Sequence, residues 1–275
     1  MIQNPVLRKE LLIRMRLRSL ASAKAGILAV ILLVVGWIHY EAISSMLSSD
    51  SMSRGYDELR LLIAGQTILL FLLTPIAAAN AITQEKEQQT WEMLVFTRLT
   101  NAEIIFGKLI ARLVPSFVLM ILAFPLTLFA FSLAMQNRSG WAQLHFGNLV
   151  ACYAVLIITT IFFTTVGLFI SWLVKRTIFA VMGAYTFVVG FLMVGTYIIT
   201  GAASQFSPER SSGFWEWFPL LWINPIYLMG QAMEPAKPYG FLYMTLGLFA
   251  YVILTVSMLG IMWLKFHRSS SMVGG

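Results

Sequence analysis

Six stretches of this chain stay apolar for about 20 residues or more, and that limits what it can fold into. They run approximately from Ala21 to Tyr40, Leu61 to Ile82, Leu113 to Met135, Gly147 to Val174, Ile178 to Thr200 and Phe241 to Leu264. A bilayer core about 30 Å thick is crossed by about 20 residues of helix. In lipid a spanning backbone must satisfy its own N–H and C=O groups, which a helix does. The chain is therefore read as an all-α integral membrane protein with six transmembrane helices, forming one transmembrane domain over 1–275. Apolar residues make up 59% of it and charged residues 11%, whereas a soluble domain carries about 25% charged residues. That is too little charge to coat a soluble core. Pro75, Pro115 and Pro125 lie inside or at the edge of these runs, where neighbouring helices can satisfy the carbonyls they free.

The net charge of +7 suggests nucleic acid at first sight. The basic residues instead punctuate apolar runs, so no nucleic-acid partner is expected. With the N-terminus placed inside, fourteen of the nineteen Lys and Arg residues fall on the inner side and five on the outer side. The acids divide five inside and seven outside. This asymmetry predicts cytoplasmic N- and C-termini and contact with anionic lipid. The first run is read as an uncleaved span, because a long basic segment precedes it and it is long enough to cross.

Several chemistries are not supported. His39, His145 and His267 have no metal-ligand spacing. Cys152 sits in an apolar run, where a lone cysteine is most simply a packing residue. The sequence has no H-E-x-x-H, G-x-S-x-G or G-x-x-x-x-G-K-[ST] pattern. No catalytic, cofactor-binding or metal-ligating residues are assigned. Charged residues are nearly absent from the span interiors, which disfavours ion-coupled carriers and channels. Uphill movement would need energy from another chain. Hydroxyls and amides do occur there: Gln66, Thr67 and Thr74 in the second run, and Thr160 and Thr164 on one face of the fourth. They fit either interhelical hydrogen bonds or a weakly polar translocation path.

The inner connection from Thr83 to Arg112 is the most elaborate. Between Glu85 and Phe96, Glu85, Gln88, Gln89 and Glu92 form a polar stripe offset from Trp91, Leu94 and Val95. This predicts an interfacial helix. Thr100-Asn101-Ala102-Glu103 fits a capping box, so a new helix should start at Asn101 and run into the third span. Lys108 and Arg112 would lie on one face at its base and snorkel to headgroups. The plain reading is a helical hairpin between two spans. The N-terminal segment 1–20 carries Leu7, Leu11 and Met15 at helical spacing among basic residues, as either a topology anchor or an interfacial helix. The outer segment 201–239 contains Trp215, Trp217 and Trp222, followed by Asn224 and Pro225. These are candidates for an outer gate or an aromatic belt.

The inner loop also carries a resemblance. Glu85-Lys86-Glu87, Thr90, Glu92, Leu94, Thr97, Glu103-Ile104 and Gly107-Lys108 resemble, in order and spacing, the signature of ABC-2 type transporter permeases. Two positions depart: Gln89 stands where Gly is usual and Arg98 where Pro is usual, so the turn geometry is in question. The N-terminal Asn4-Pro5-Val6-Leu7-Arg8-Lys9-Glu10-Leu11 and Asn224-Pro225 are also similar to the family's pattern. The resemblance implies a multi-pass permease subunit in a prokaryotic cell membrane, itself without enzymatic activity. Glu85, Glu87, Thr90, Trp91, Glu92, Leu94, Thr97, Glu103, Gly107 and Lys108 would form the coupling loop that engages a separate cytosolic ATPase. A second permease subunit would complete the path, with ATP and Mg bound on the ATPase, and export is the usual direction. A membrane anchor or scaffold for an ATPase-driven machine is the alternative, and an ion channel or secondary carrier a third.

Overall fold

The computed structural model describes residues 54–91, 99–136, 145–193, 223–233 and 240–273, with Val6, Trp37, Tyr40 and Ser44 as isolated positions. Seven helices form the described architecture: α1 (Arg54–Ala79), α2 (Thr83–Glu87), α3 (Asn101–Gln136), α4 (Phe146–Leu173), α5 (Thr177–Met193), α6 (Pro225–Met233) and α7 (Gly240–Val273). Four segments are long and apolar enough to cross a membrane: Leu59–Glu87, Asn101–Ser132, Phe146–Leu173 and Leu242–Lys265. Thr177–Leu192 is apolar but shorter. The expected first span 21–40 lies outside the described residues, apart from Trp37 and Tyr40. So do residues 194–200 of the fifth expected span and Trp215, Trp217 and Trp222 of the outer segment.

The hub is α4. Within its most apolar window, 61% is buried inside the fold, against 28% for α3 and 22% for α7. It packs against α1, α3, α5, α6 and α7. The exposed sides of α3 and α7 are apolar, with Ile121, Leu122, Phe249 and Val256 among their most open side chains. An apolar outer face is what lipid chains require. Aromatic rings tie the centre together. Phe71 of α1 meets Phe163 of α4 edge-on at 4.9 Å, and Phe162 meets Tyr251 of α7 at 4.8 Å. Phe191 of α5 lies near both Phe162 and Phe163.

One close approach sets the end of the bundle at which α1 and α4 finish. A Cβ at Gly167 would sit 2.8 Å from the Ala78 Cβ and 3.4 Å from the Pro75 carbonyl. Only glycine lets α1 and α4 meet there. One turn later, Ser171 reaches the end of α1, where the loop to α3 begins.

The 36 residues of α3 span about 54 Å, well beyond a core of about 30 Å. The helix starts at Asn101, as the capping box predicted. The Glu103 N–H donates to the Thr100 hydroxyl at 3.3 Å, and the Thr100 N–H donates to the Glu103 carboxylate at 2.8 Å. Two expectations are corrected. The helix expected over 85–96 is not continuous, because α2 ends at Glu87 and the chain turns through Gln88 and Gln89. Lys108 and Arg112 do not snorkel, because both are buried and bonded inside the protein.

Candidate functional site

The loop between α1 and α3 is built on backbone groups that the helices leave unpaired. After Ala79 the chain breaks for three residues. The Ile82 and Thr83 N–H groups donate to the Ser171 hydroxyl of α4 at 2.9 and 3.0 Å. The Thr83 hydroxyl donates back to the Ala79 carbonyl at 3.0 Å. The Lys108 ammonium of α3 donates to the Ala81 carbonyl at 2.9 Å, and Arg112 donates to the Asn80 side-chain oxygen at 3.0 Å. The break after α1 is thus held by side chains of α3 and α4.

Three consecutive residues of α2 then bind three different helices. Glu85 pairs with Lys108 at 2.7 Å, the lysine being fully buried and the glutamate partly exposed. Lys86 donates to the Val174 carbonyl at 3.0 Å and the Ser171 carbonyl at 3.5 Å, and also to that of Trp172. These carbonyls lie in the last turn of α4 and just past it. Burial, with nearby Lys175 adding repulsion, lowers the Lys86 pKa below the ordinary lysine value. Glu87 accepts from the Thr177 N–H at 2.7 Å and the Thr177 hydroxyl at 2.9 Å. Those hydrogen bonds, helped by Arg176, hold its carboxyl below the usual carboxylate range.

The turn that follows resolves the departure at Gln89. Its φ is +56°, the only left-handed non-glycine among the described residues. The Gln89 N–H donates to the Lys86 carbonyl at 3.2 Å and the Thr90 N–H to the Glu85 carbonyl at 3.0 Å. That pair of bonds is a Schellman motif, with Gln89 where glycine normally ends the helix. The geometry the family's glycine would provide is kept, at the cost of placing a side chain in the left-handed region.

Of the expected loop residues, the structure brings Glu85, Glu87, Thr90, Trp91, Gly107 and Lys108 into one unit, and Glu103 caps α3 beside it. Trp91 packs on the cluster of Ala81, Ile82, Ile105, Leu109, Leu113, Leu168 and Met262. Gly107 is buried next to Lys108. Glu92, Leu94 and Thr97 lie outside the described residues. Gln84, Gln88, Gln89 and Thr90 face outward. Sequence reasoning missed Ser171 and Thr177. A lone hydroxyl near the end of one apolar run and a threonine opening the next were the only signals of a second, short corner beside the loop.

The chain belongs to the ABC-2 transporter family. A family model described as ABC-2 family transporter protein matches residues 37–267, which covers α1 to α5, α6 and most of α7. No curated protein matches the chain. As an ABC-2 family member it is a multi-pass membrane subunit of an ABC transporter.

The intramembrane polar residues of this ABC-2 subunit lie within its own helix packing. Gln66, Thr67, Thr74, Thr160 and Thr164 are all buried, between 0% and 4% exposed. The hydroxyls of Thr67 and Thr164 bond the carbonyls of Ile63 and Thr160 at 2.7 Å, and Thr74 bonds that of Leu70. Such back-bonding within a helix is the ordinary fate of buried threonine. At the opposite end of the bundle, Asn224 has a local role as well. Its side-chain oxygen accepts from the Ile226 N–H at 2.9 Å, with Pro225 as the first residue of α6. Asparagine at the N-cap and proline at the first position are the usual way to start a helix. The other end of α6 is held by Asn148, which donates to the Ala232 carbonyl at 2.9 Å.

Proposed function

We propose that this chain is the permease subunit of an ATP-driven exporter and that a separate cytosolic ATPase docks on the loop around α2. ATP and Mg bind on that ATPase, and a second permease subunit, identical or related, completes the translocation path. One observation carries the reading. The loop is tied to α3, α4 and α5 through Glu85, Lys86 and Glu87, while Gln84 and Gln88 to Thr90 remain exposed. A short helix anchored on one side and open on the other suits a lever for an outside partner. Family membership supports the class of machine, and the nearly charge-free spans favour an energy source outside the membrane.

The test is site-specific cross-linking. Single cysteines at Gln84→Cys and Gln88→Cys, in a chain with Cys152→Ala, are challenged with a candidate ABC ATPase from the same organism. The expected result is a cross-linked heterodimer from both loop positions and none from Phe146→Cys, at the opposite end of the bundle. Equal cross-linking from Phe146→Cys, or none from either loop position, would overturn the docking site. Cargo movement in proteoliposomes then separates a permease from a scaffold.

A further inference from the structure

The corner between α4 and α5 is unusual in having no caps of its own. Only Val174, Lys175 and Arg176 connect the two helices. The residue that closes α4 is Val174 in an extended conformation, where helices commonly end on a left-handed glycine. The residue before α5 is Arg176, whose carbonyl accepts the first helical bond from the Ala180 N–H at 3.2 Å. Arginine is not a capping residue. Both deficits are met by neighbours on α2. The Lys86 ammonium satisfies carbonyls at the α4 C-terminus, where the helix dipole is negative. The Glu87 carboxylate satisfies the first N–H of α5, where the dipole is positive. Adjacent residues of opposite charge thus serve opposite helix ends across one three-residue corner. The Thr83 and Thr177 hydroxyls, 3.1 Å apart, and the Ser171 hydroxyl on the loop backbone close the same joint.

We propose that Lys86 and Glu87 are positioning residues that lock the α4–α5 corner to the loop helix, so that displacement of α2 by the partner is passed to α4 and α5 as one body. This rests on the docking reading above. A lever joined only to α1 and α3 would tilt the two helices it interrupts. Joined through Lys86 and Glu87, it also carries the hub helix α4 and the start of α5. Local caps at the corner would have given equal stability with no such link.

Stability and linkage can be separated. Spin labels at Gln88→Cys and Ile178→Cys, with Cys152→Ala, report the α2–α5 distance of the isolated chain in nanodiscs, and stimulation of ATP hydrolysis is read on unlabelled chains that keep Gln88. The otherwise wild-type chain should give one narrow distance. Glu87→Ala should broaden it and, without labels, reduce stimulation of ATP hydrolysis. Glu87→Ala with Arg176→Asp supplies a local cap to α5. It should restore the melting temperature but neither the narrow distance nor the stimulation. Lys86→Met should reduce stimulation in the same way. A broad distance in the otherwise wild-type chain, a Glu87→Ala chain that keeps the narrow distance, or recovery of stimulation by Arg176→Asp would each overturn the proposal. Loss of the Gln88→Cys cross-link in the otherwise wild-type complex would overturn the docking reading instead, and the isolated-chain distances would still test the joint.

Discussion

Replacing Glu85 with Leu should destabilise the fold more than replacing Lys108 with Met, although each removes the same ion pair. The asymmetry comes from burial: the Lys108 side chain is 0% exposed and that of Glu85 is 16% exposed. Glu85→Leu leaves an ammonium deep in the protein without its carboxylate, a situation that costs about 3–5 kcal/mol. Lys108→Met leaves a carboxylate that can turn toward water and also takes the donor from the Ala81 carbonyl, so the loss lies at the upper end of that of a charged hydrogen bond, about 1.5–3 kcal/mol. The double variant, with two apolar side chains of similar size, should recover much of the Glu85→Leu loss, because burying neither charge is often neutral. Detergent-titration unfolding followed by tryptophan fluorescence measures all four corners of the cycle, and the chain has eight tryptophans to report it. Equal losses for the two single variants, or a double variant as unstable as their sum, would refute the argument from burial.

Three further outcomes follow from local geometry. Gln89→Gly should stabilise the loop by about 0.5–1 kcal/mol, the relief of a left-handed side chain less the entropy glycine gains when unfolded. Slower amide exchange at Thr90 would show it, and Gln89→Val should move the other way. Gly167→Ala should cost about 1–3 kcal/mol through overpacking against Ala78, with Ala78→Gly restoring the melting temperature in the double variant. Asn224→Ala should lower stability by about 1 kcal/mol through loss of the α6 cap, whereas Asn224→Asp should retain most of it in the same thermal melt.

The helices of this protein were legible because lipid demands long apolar runs, and α3, α4 and α7 begin within a few residues of where those runs and the capping box place them. The loop was legible in outline only. Glu85, Glu87 and Lys108 stood out through their spacing in a known signature, but spacing does not say that a carboxylate will reach a lysine 23 positions away. Periodicity predicted one helix across Gln88 and Gln89, because it cannot register a left-handed residue that is not glycine. Lys108 and Arg112 looked like snorkelling residues since nothing local marked Ala81 and Asn80 as their partners. Those pairings depend on how α1, α3 and α4 converge at Gly167 and Ser171, which is a tertiary fact. Likewise Thr160 and Thr164 share a face in sequence, yet only packing shows that face buried within the chain.

The account rests on an outside ATPase acting through the α2 loop. The most direct measurement is the ATP hydrolysis rate of a candidate ABC ATPase, titrated with this chain in nanodiscs. The account predicts a saturable change in rate with the wild-type chain and a loss of that change when Gln88 carries a bulky maleimide adduct through Gln88→Cys in the Cys152→Ala background. A rate indifferent to the chain, or one that changes equally whether or not Gln88→Cys is blocked, would contradict it.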